Sequence, residues 1–400
     1  MKYLLTFLLL LYVGASFAQA PTYSNLDYVG NGNSKQMLDL YIPPGLTRPA
    51  PIIIYIHGGG WQNGSKGGAL RFCDTLLAHG YIIADINYRL SGDSIFPAQI
   101  YDCKAAVRWL KAHPVQYNID TCKVAVTGSS AGGHLASLVG TSGGVDSLED
   151  FGLGSRGATS KVHAVISFYG PSDFSQMDAN IPRTPPDSCT DPMIHNSPNS
   201  AETRLLGCQF SDCPDRVRKA SPITYIDGTD PPFKIYHGTF DCTVPPQQSM
   251  LLDSVLNAAG VYTSLSLSQH VGHGFRPDAQ QQQEMLAFLN AHLTGCGSTG
   301  VDDGEKSEAP YRFGLLQNYP NPFNPGTVIS WQLSRKLSGS YVTLKVYNVL
   351  GVEVAVLVNE KKEPGTYSVN FSGANLASGT YFYRLQAGAF VQTKKFVLLK

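Results

Sequence analysis

Residues 123–133 constrain the fold more than any other part of this chain. A short apolar run at 124–127 has the composition and length of a buried strand. It leads through Gly128-Ser-Ser130-Ala-Gly132 into a segment with helical spacing. A G-x-S-x-G pattern between a strand and a helix predicts a tight turn that holds Ser130 above the edge of a sheet. Because a serine hydroxyl becomes nucleophilic only when a base takes its proton, Ser130 needs partners elsewhere in the chain.

The chain length, the charge balance and the first residues narrow the class of protein. Four hundred residues are enough for more than one domain, and 30 basic residues balance 30 acidic ones. That balance gives no indication of a nucleic-acid partner. Residues 1–18 combine one lysine, an apolar core and small residues, which predicts a secretory signal peptide cut before Gln19. No later apolar stretch is long enough to predict a transmembrane segment.

Apolar strand patterns alternate with helical patterns through most of the chain. Residues 22–42 predict two strands, and a polar insertion from about 171 to 230 interrupts the later alternation. The alternation predicts an α/β fold with a doubly wound, mostly parallel sheet. The expected strands are 52–56, 81–87, 124–127, 162–168, 233–237 and 263–267, and the expected helices begin near 66, 97, 131, 247 and 277.

The composition changes after Cys296. Residues 297–312 are rich in Gly, Ser, Asp and Glu and predict a linker between a catalytic domain at 19–296 and a C-terminal domain at 313–400. The C-terminal part alternates apolar and polar residues between turns and shows no helical period. It therefore predicts a small all-β sandwich.

Eight cysteines make disulfides possible in an exported protein, but the sequence does not choose their pairing. Cys189, Cys208 and Cys213 lie in the polar insertion, where a local disulfide would stabilise a small structure. Buried free thiols are the alternative. No CxxC pair is present, and no histidine pair has the spacing of a zinc hydrolase, so no metal site is predicted.

A glycine-rich loop follows the predicted strand 52–56. It reads His57-Gly-Gly59-Gly60-Trp61, and its glycines would let backbone N–H groups approach a substrate oxygen. We expect the N–H groups of Gly59, Gly60 and Ala131 to form an oxyanion hole, with Trp61 in the substrate-binding site. A phosphate-binding loop is the rival interpretation, but the order of its lysine and serine is reversed here.

Candidates for the acid and the base follow Ser130 in the chain order of an α/β-hydrolase triad. Asp241 comes just after the predicted strand 233–237, and His273 lies between glycines after the next strand. His270 is the rival base, but it ends a strand instead of lying in the loop. Three other histidines are expected to be structural: His57, His134 and His237.

Two other acids, Asp85 and Asp102, precede Ser130 and so break that order. We expect Asp102 to form an ion pair instead, for instance with Arg108.

At these motifs the chain resembles the bacterial feruloyl and acetyl esterases of the α/β-hydrolase superfamily, over about residues 38–293. The matching segments are 57–61, 86–90, 96–99, 106–110, 128–133, 220–225, 237–241 and 272–275. The resemblance implies an α/β-hydrolase fold, a Ser130–His273–Asp241 triad and no cofactor. The cysteine-rich insertion at 187–214 departs from the pattern, and we expect it to roof the acyl or alcohol pocket.

Residues 315–400 resemble the C-terminal sorting domain of type IX (Por) secretion cargo. The resemblance rests on the segments 316–325, 346–351 and 376–385 and on the basic end at 394–400. It implies the type IX secretion machinery as a partner and a secreted or cell-surface location. The alternative is an adhesive or carbohydrate-binding sandwich.

These observations predict an exported serine esterase, acting first on acetyl and second on feruloyl esters of plant-wall polysaccharide. Three alternatives remain open at this point: a broad short-chain carboxylesterase, an amidase, formamidase or peptidase on the same fold, and a catalytically inactive surface-binding protein.

Overall fold

A computed structural model describes residues 19–181, 193–294, 314–315, 318, 321–333, 339–363, 365–388 and 390–400. The predicted signal peptide and linker, Cys189 and Cys296 lie outside these ranges. The chain divides into two compact units, residues 1–300 and 301–400, and each is described by itself.

The first unit is built on an eight-stranded sheet in the order β1-β2-β4-β3-β5-β6-β7-β8. Only the pairs β1–β2 and β2–β4 are antiparallel, and the other neighbours are parallel. This confirms the α/β-hydrolase fold with its mostly parallel sheet. The strands are β1 (Tyr23–Asp27), β2 (Met37–Tyr41), β3 (Ala50–Ile56), β4 (Ile82–Ile86), β5 (Ile119–Ser129), β6 (Ala164–Phe168), β7 (Phe233–Gly238) and β8 (Thr263–Ser268).

Helices cover both faces of the sheet because its inner strands are apolar on both sides. In β3, Ile52 and Ile54 belong to the core on one face, whereas Ile53 and Tyr55 belong to the core on the other. Helices α1 and α9 pack over the second face, and α2, α4 and α8 over the first. The helices are α1 (Leu70–Ala78), α2 (Ala98–Ala112), α3 (Pro114–Tyr117), α4 (Ala131–Thr141), α5 (Met177–Asn180), α6 (Ala201–Leu206), α7 (Pro214–Ala220), α8 (Gln247–Ala258) and α9 (Ala279–His292).

Helix α1 begins at Leu70, four residues later than the sequence pattern predicts. The preceding loop is held by Asp85 of β4, whose Oδ2 accepts hydrogen bonds from the N–H groups of Gly67 at 2.7 Å and Ala69 at 3.0 Å. Burial raises the pKa of Asp85 to about 6, although these hydrogen bonds oppose the effect. Gly67 has φ 108°, which lies outside the helical range, so the helix cannot extend back through it, and the Asp85 side chain fixes the loop.

The predicted ion pair between Asp102 and Arg108 is wrong. Arg89 pairs with Asp102 at 2.7 Å, and Arg108 pairs with Glu149. Asp102 and Arg108 lie six positions apart on α2, so they point to different faces of the helix and cannot meet.

In its described residues the insertion contains three short α-helices, α5, α6 and α7, which the sequence pattern did not predict. A disulfide between Cys208 and Cys213 closes the loop that joins α6 to α7, with the two Cα atoms 6.2 Å apart. This is the local disulfide that the cysteine spacing allows. Elsewhere Cys73 and Cys103 are buried free thiols, so both kinds of cysteine occur. Two further cysteines are disulfide-bonded, Cys122 and Cys242.

The second unit consists of two antiparallel sheets, in the orders β13-β10-β9 and β12-β11-β14-β15. Strand β14 alternates from its third residue onward, with Tyr381, Tyr383 and Leu385 buried and the residues between them exposed. This pattern confirms a small β domain with its own apolar core. The strands are β9 (Gly314–Leu315), β10 (Gly326–Leu333), β11 (Ser340–Tyr347), β12 (Glu353–Lys362), β13 (Gly365–Ser372), β14 (Gly379–Ala387) and β15 (Phe390–Leu398).

Within the described parts of both units, no helix has the length and apolar character needed to cross a bilayer.

Candidate active site

Ser130 lies in a strained turn between β5 and α4. Its backbone has φ 55° and ψ −121°, a conformation that costs a non-glycine residue free energy. The Ser130 N–H donates to the Phe168 carbonyl at 2.9 Å, which ties the turn to β6. A Cβ on Gly132 would lie 2.0 Å from the Ile56 carbonyl oxygen, and one on Gly128 would lie 2.3 Å from the Gly132 oxygen. The glycines are therefore needed for the turn to pack directly on the end of β3.

The structure brings together the three residues predicted as nucleophile, base and acid. His273 Nε2 lies 2.9 Å from Ser130 Oγ, and His273 Nδ1 lies 2.7 Å from Asp241 Oδ2. Since an ionised carboxylate can only accept, Nδ1 carries the proton and Nε2 is free to accept the serine proton. The rival His270 does not take part, and its ring packs edge-on against Phe240.

Asp241 is completely buried and has a full set of hydrogen-bond donors. The N–H groups of Thr243 and Val244 both donate to its Oδ1 at 2.9 Å. Burial alone raises the pKa of Asp241, but the hydrogen bonds from His237 and His273 outweigh burial and hold the pKa well below its usual range. The carboxylate is therefore charged at any pH at which the protein would act.

His237, expected to be structural, also contacts the acid. Its Nε2 lies 2.9 Å from the Val244 carbonyl oxygen and 3.1 Å from Asp241 Oδ2. Both oxygens can only accept, so Nε2 carries the proton, while Nδ1 lies 2.7 Å from Ser249 Oγ. His237 thus anchors both the turn and the carboxylate. Its position four residues before Asp241 is the only signal in the sequence that could have suggested this contact.

Tyr169 is a site residue that no sequence motif indicated. It directly follows β6 with φ 41°, and its ring packs edge-on against the His273 ring with centroids 4.8 Å apart. Its hydroxyl donates to the Phe275 carbonyl oxygen at 2.9 Å. Tyr169 therefore contacts both the catalytic imidazole and the backbone of the loop that carries it.

The predicted oxyanion residues lie beside the nucleophile. Gly59 and Gly60 line the same cavity as Ser130, and both have positive φ. A Cβ on Gly59 would lie 2.2 Å from the Asn63 carbonyl oxygen, so the loop closes too tightly for another residue. Ala131 is the first residue of α4, where a free N–H group and the helix dipole favour a negative charge. Their role in oxyanion binding stays a prediction.

Trp61 lines the cavity, but its side chain is only 2% exposed. Its Nε1 donates to His134 Nδ1 at 3.2 Å, and His134 Nε2 donates to the Ala220 carbonyl oxygen at 2.7 Å. Burial lowers the pKa of His134 to about 4, which keeps this imidazole neutral and able to accept from Trp61. The indole thus braces the glycine loop, and its predicted contact with substrate stays a prediction.

Ser130 opens onto a cavity of about 600 Å³, a size suited to a small ligand. Part of the insertion forms its wall, as expected of a roof over the pocket, through Met193, Ala201 and Glu202. In the described ranges, no group of three His, Cys, Asp or Glu side chains is placed to hold a metal ion. The remaining walls contribute aromatic, polar, basic and aliphatic side chains: Tyr55, Trp61, Gln62, Asn63, Arg71, Phe72, Ser129, Tyr169, Thr243, Val244, His273 and Arg276.

Comparison with known proteins identifies both units. Residues 38–256, more than half of the chain, match the BD-FAE family. The chain belongs to the BD-FAE family of esterases. Residues 317–399 match the secretion system C-terminal sorting domain, which indicates export to the cell surface or beyond.

Proteins similar to this BD-FAE protein are themselves named esterases or ester hydrolases. In Mycobacterium tuberculosis, "Probable carboxylic ester hydrolase LipM" is 35% identical over 58% of this chain, and "Esterase LipQ" is 30% identical over 68%. The chain spans only 52% and 62% of the lengths of these two proteins. A truncated carbohydrate esterase from the gut microbiota aligns with 68% of this chain and 96% of its own, with 31% identity and a TM-score of 0.61.

Proposed function

We propose that this BD-FAE protein is an exported serine ester hydrolase with Ser130, His273 and Asp241 as its catalytic triad. The observation that carries the proposal is the continuous hydrogen-bonded path from Ser130 Oγ through His273 to the buried, charged Asp241. In the first step Ser130 Oγ attacks the ester carbonyl carbon while His273 Nε2 takes the hydroxyl proton. Collapse of the tetrahedral intermediate breaks the bond to the leaving alcohol, which receives that proton. Water then hydrolyses the acyl-enzyme by the same route.

The N–H groups of Gly59, Gly60 and Ala131 would stabilise the oxyanion. Their loop and helix end border the same cavity as the nucleophile. One such donor is typically worth about 3–4 kcal/mol in the transition state. The strained, glycine-packed turns hold these groups in place before substrate arrives, so little reorganisation is needed during the reaction.

For the substrate, we propose acetyl groups on plant-wall polysaccharide first and feruloyl groups second. The gut carbohydrate esterase and a bifunctional GH43-CE protein of Bacteroides eggerthii, 32% identical with a TM-score of 0.61, support a sugar ester. The polar side chains Gln62, Asn63 and Thr243 in the cavity wall suit the hydroxyl groups of a sugar. The sorting domain supports a substrate outside the cell.

Reaction with a fluorophosphonate probe and an ester panel test the chemistry. We expect the full chain to be labelled on Ser130, and we expect Ser130→Ala to lose labelling and about 10⁶-fold in kcat, which leaves only the rate that binding and the oxyanion hole sustain alone. Ser129→Ala, one position away in the same turn, is the matched control and should retain most activity. Labelling of Ser130→Ala equal to that of the unaltered protein would overturn the assignment.

Acetate release from acetylated xylan, compared with hydrolysis of p-nitrophenyl octanoate, tests the substrate. We expect xylan to be deacetylated and octanoate to be a poor substrate. Preference for octanoate with no acetate release would instead indicate a broad carboxylesterase. Faster cleavage of a p-nitroanilide than of the matching ester would indicate an amidase.

We also propose that the signal peptide and the C-terminal domain direct the protein through type IX secretion. Deleting residues 317–399 in a host that has this machinery should leave the esterase in the periplasm. Unchanged appearance of the truncated protein in the medium would contradict this role.

A further inference from the structure

Counting the residues that the structure describes, the lining of the catalytic cavity carries more exposed positive than negative charge. Arg71 on α1 and Arg276 on the loop of His273 both line the cavity and are exposed. Among the residues that the structure describes, neither guanidinium has an ion-pair partner. Arg204 on α6 adds a third guanidinium close by, since its Nη1 donates to Oε1 of the cavity residue Gln62 at 2.8 Å.

The acidic side chains of this region do not balance that charge. Of the described residues, Glu202 is the single acid lining the cavity, and it is 3% exposed. Its Oε1 lies 3.0 Å from Nδ1 of the buried His195, and its Oε2 is covered. The other acid of the site, Asp241, is buried behind His273 and engaged by four donors. Among the described residues that line the cavity, a molecule entering it therefore meets guanidinium groups and no exposed carboxylate.

Guanidinium groups in such a place have a specific chemical use. Their planar fork binds carboxylates through paired, charge-assisted hydrogen bonds, and an arginine keeps its charge at every working pH. A concave site focuses the field of nearby charges onto an incoming ligand. Burial raises the pKa of Tyr169, and the positive charge of Arg276 opposes that rise. Arg276 therefore acts on a residue that contacts the catalytic histidine.

We propose that Arg71 and Arg276 select esters that carry a carboxylate, such as the acetylated uronic acid units of an acidic polysaccharide. This inference rests on the proposed esterase function and adds a specificity to it. The two arginines are placed to bind the substrate, whereas the triad performs the reaction. The carboxylate can belong to the alcohol or to the acyl group, and the guanidinium chemistry is the same for both.

Matched pairs of esters test the selectivity of the full chain. The alcohol-side pair is acetylated methyl glucuronide against acetylated methyl glucoside, and the acyl-side pair is monomethyl glutarate against methyl pentanoate. We expect kcat/KM to favour the acidic member of one pair by about tenfold at low salt, through KM. The preference should shrink as ionic strength rises, since the guanidinium groups are exposed. The pair that shows the preference identifies the side that carries the charge.

Three variants locate the effect. Arg71→Gln combined with Arg276→Gln should reduce the acidic-to-neutral ratio of kcat/KM to about one, each arginine accounting for about threefold. Replacing both by Lys should keep part of the preference, because the charge remains but the fork is lost. Arg48→Gln is the matched control: Arg48 is also exposed, but it precedes β3 at the opposite end of the strands, and the ratio should not change.

Equal hydrolysis of both members of both pairs by the unaltered protein would overturn the inference and leave the esterase function intact. Retention of the full ratio in the double glutamine variant would also overturn it. Failure to hydrolyse any of the four esters, together with no fluorophosphonate labelling, would instead contradict the proposed esterase function.

Discussion

Asp241→Asn should nearly abolish turnover while preserving the shape of the site. The asparagine carbonyl can still accept from the N–H groups of Thr243 and Val244, which now bond Oδ1. The amide NH2 then points at His273 Nδ1, 2.7 Å from the present Oδ2, and must donate to it. That reverses the tautomer of His273, so that Nε2 carries a proton and cannot take the one on Ser130.

The expected loss in kcat is about 10⁴-fold, the cost of the wrong tautomer in a Ser-His-Asp triad. It corresponds to about 5.5 kcal/mol of transition-state stabilisation. The variant should also lose about 1–3 kcal/mol in its free energy of unfolding, because its NH2 group faces the N–H of His237, 3.1 Å away at present. KM should change little, since Asp241 is buried behind the histidine.

Steady-state hydrolysis of p-nitrophenyl acetate by the full chain measures the effect, with circular dichroism to check folding. Asp230→Asn is the matched control, as Asp230 lies before β7 and its carboxylate accepts from the N–H of Asp227. The control should retain at least half of the activity. A folded Asp241→Asn protein within tenfold of the unaltered kcat would refute the reasoning from the tautomer.

Three further predictions concern the loop of the base, the pH dependence of stability and the C-terminal domain. Tyr169→Phe removes one hydrogen bond to the His273 loop and should lower kcat about threefold to tenfold. The control Tyr262→Phe, at an exposed residue, should leave kcat unchanged. Equal kcat values for the two variants would contradict a positioning role for Tyr169. Burial raises the pKa of Asp85 from 3.8 to about 6, so ionising this carboxyl group costs the folded state about 3 kcal/mol. This penalty is absent below about pH 4 and complete above about pH 6. The Tm of Asp85→Asn relative to the unaltered protein should therefore rise between pH 4 and pH 8, and a constant difference would contradict it. A chain truncated after residue 297 should keep its kcat, because the first unit contains every residue of the cavity; a large loss would show that the C-terminal domain contributes to the site.

Sequence patterns predicted the parts of the site that depend on local geometry. The turn at Ser130 needs glycines because backbone atoms come within 2.0–2.3 Å of where Cβ atoms would lie, and this requirement leaves a pattern that can be read. Parallel strands also bring their carboxyl ends to one edge of the sheet. Residues that follow β5, β7 and β8 could therefore be expected to meet before any distance was known.

What the sequence did not reveal depends on contacts between distant segments. The loop before α1 does not continue the helix, because Gly67 has φ 108° and Asp85, on a strand that follows later in the chain, accepts hydrogen bonds from the N–H groups of Gly67 and Ala69. Asp102 forms its ion pair with Arg89, in the loop after β4, and not with a residue of its own helix. Helix α6 was missed although a local signal existed, since Ser200 caps it by accepting from the Thr203 N–H. In that case the polar composition of the insertion obscured the signal.

The acid and the base of the site are positioned in two different ways. Three of the four donors to Asp241 come from Thr243, Val244 and His237, all within four residues of it, so its orientation is largely encoded in one short segment. His273 takes its orientation from Asp241 and from Tyr169, more than a hundred residues earlier in the chain. The strain at Tyr169 is tolerated because its ring and its hydroxyl both gain contacts with that loop. A substitution at Tyr169, just after β6, can therefore disturb the base without changing any motif, whereas the acid depends mainly on its own turn.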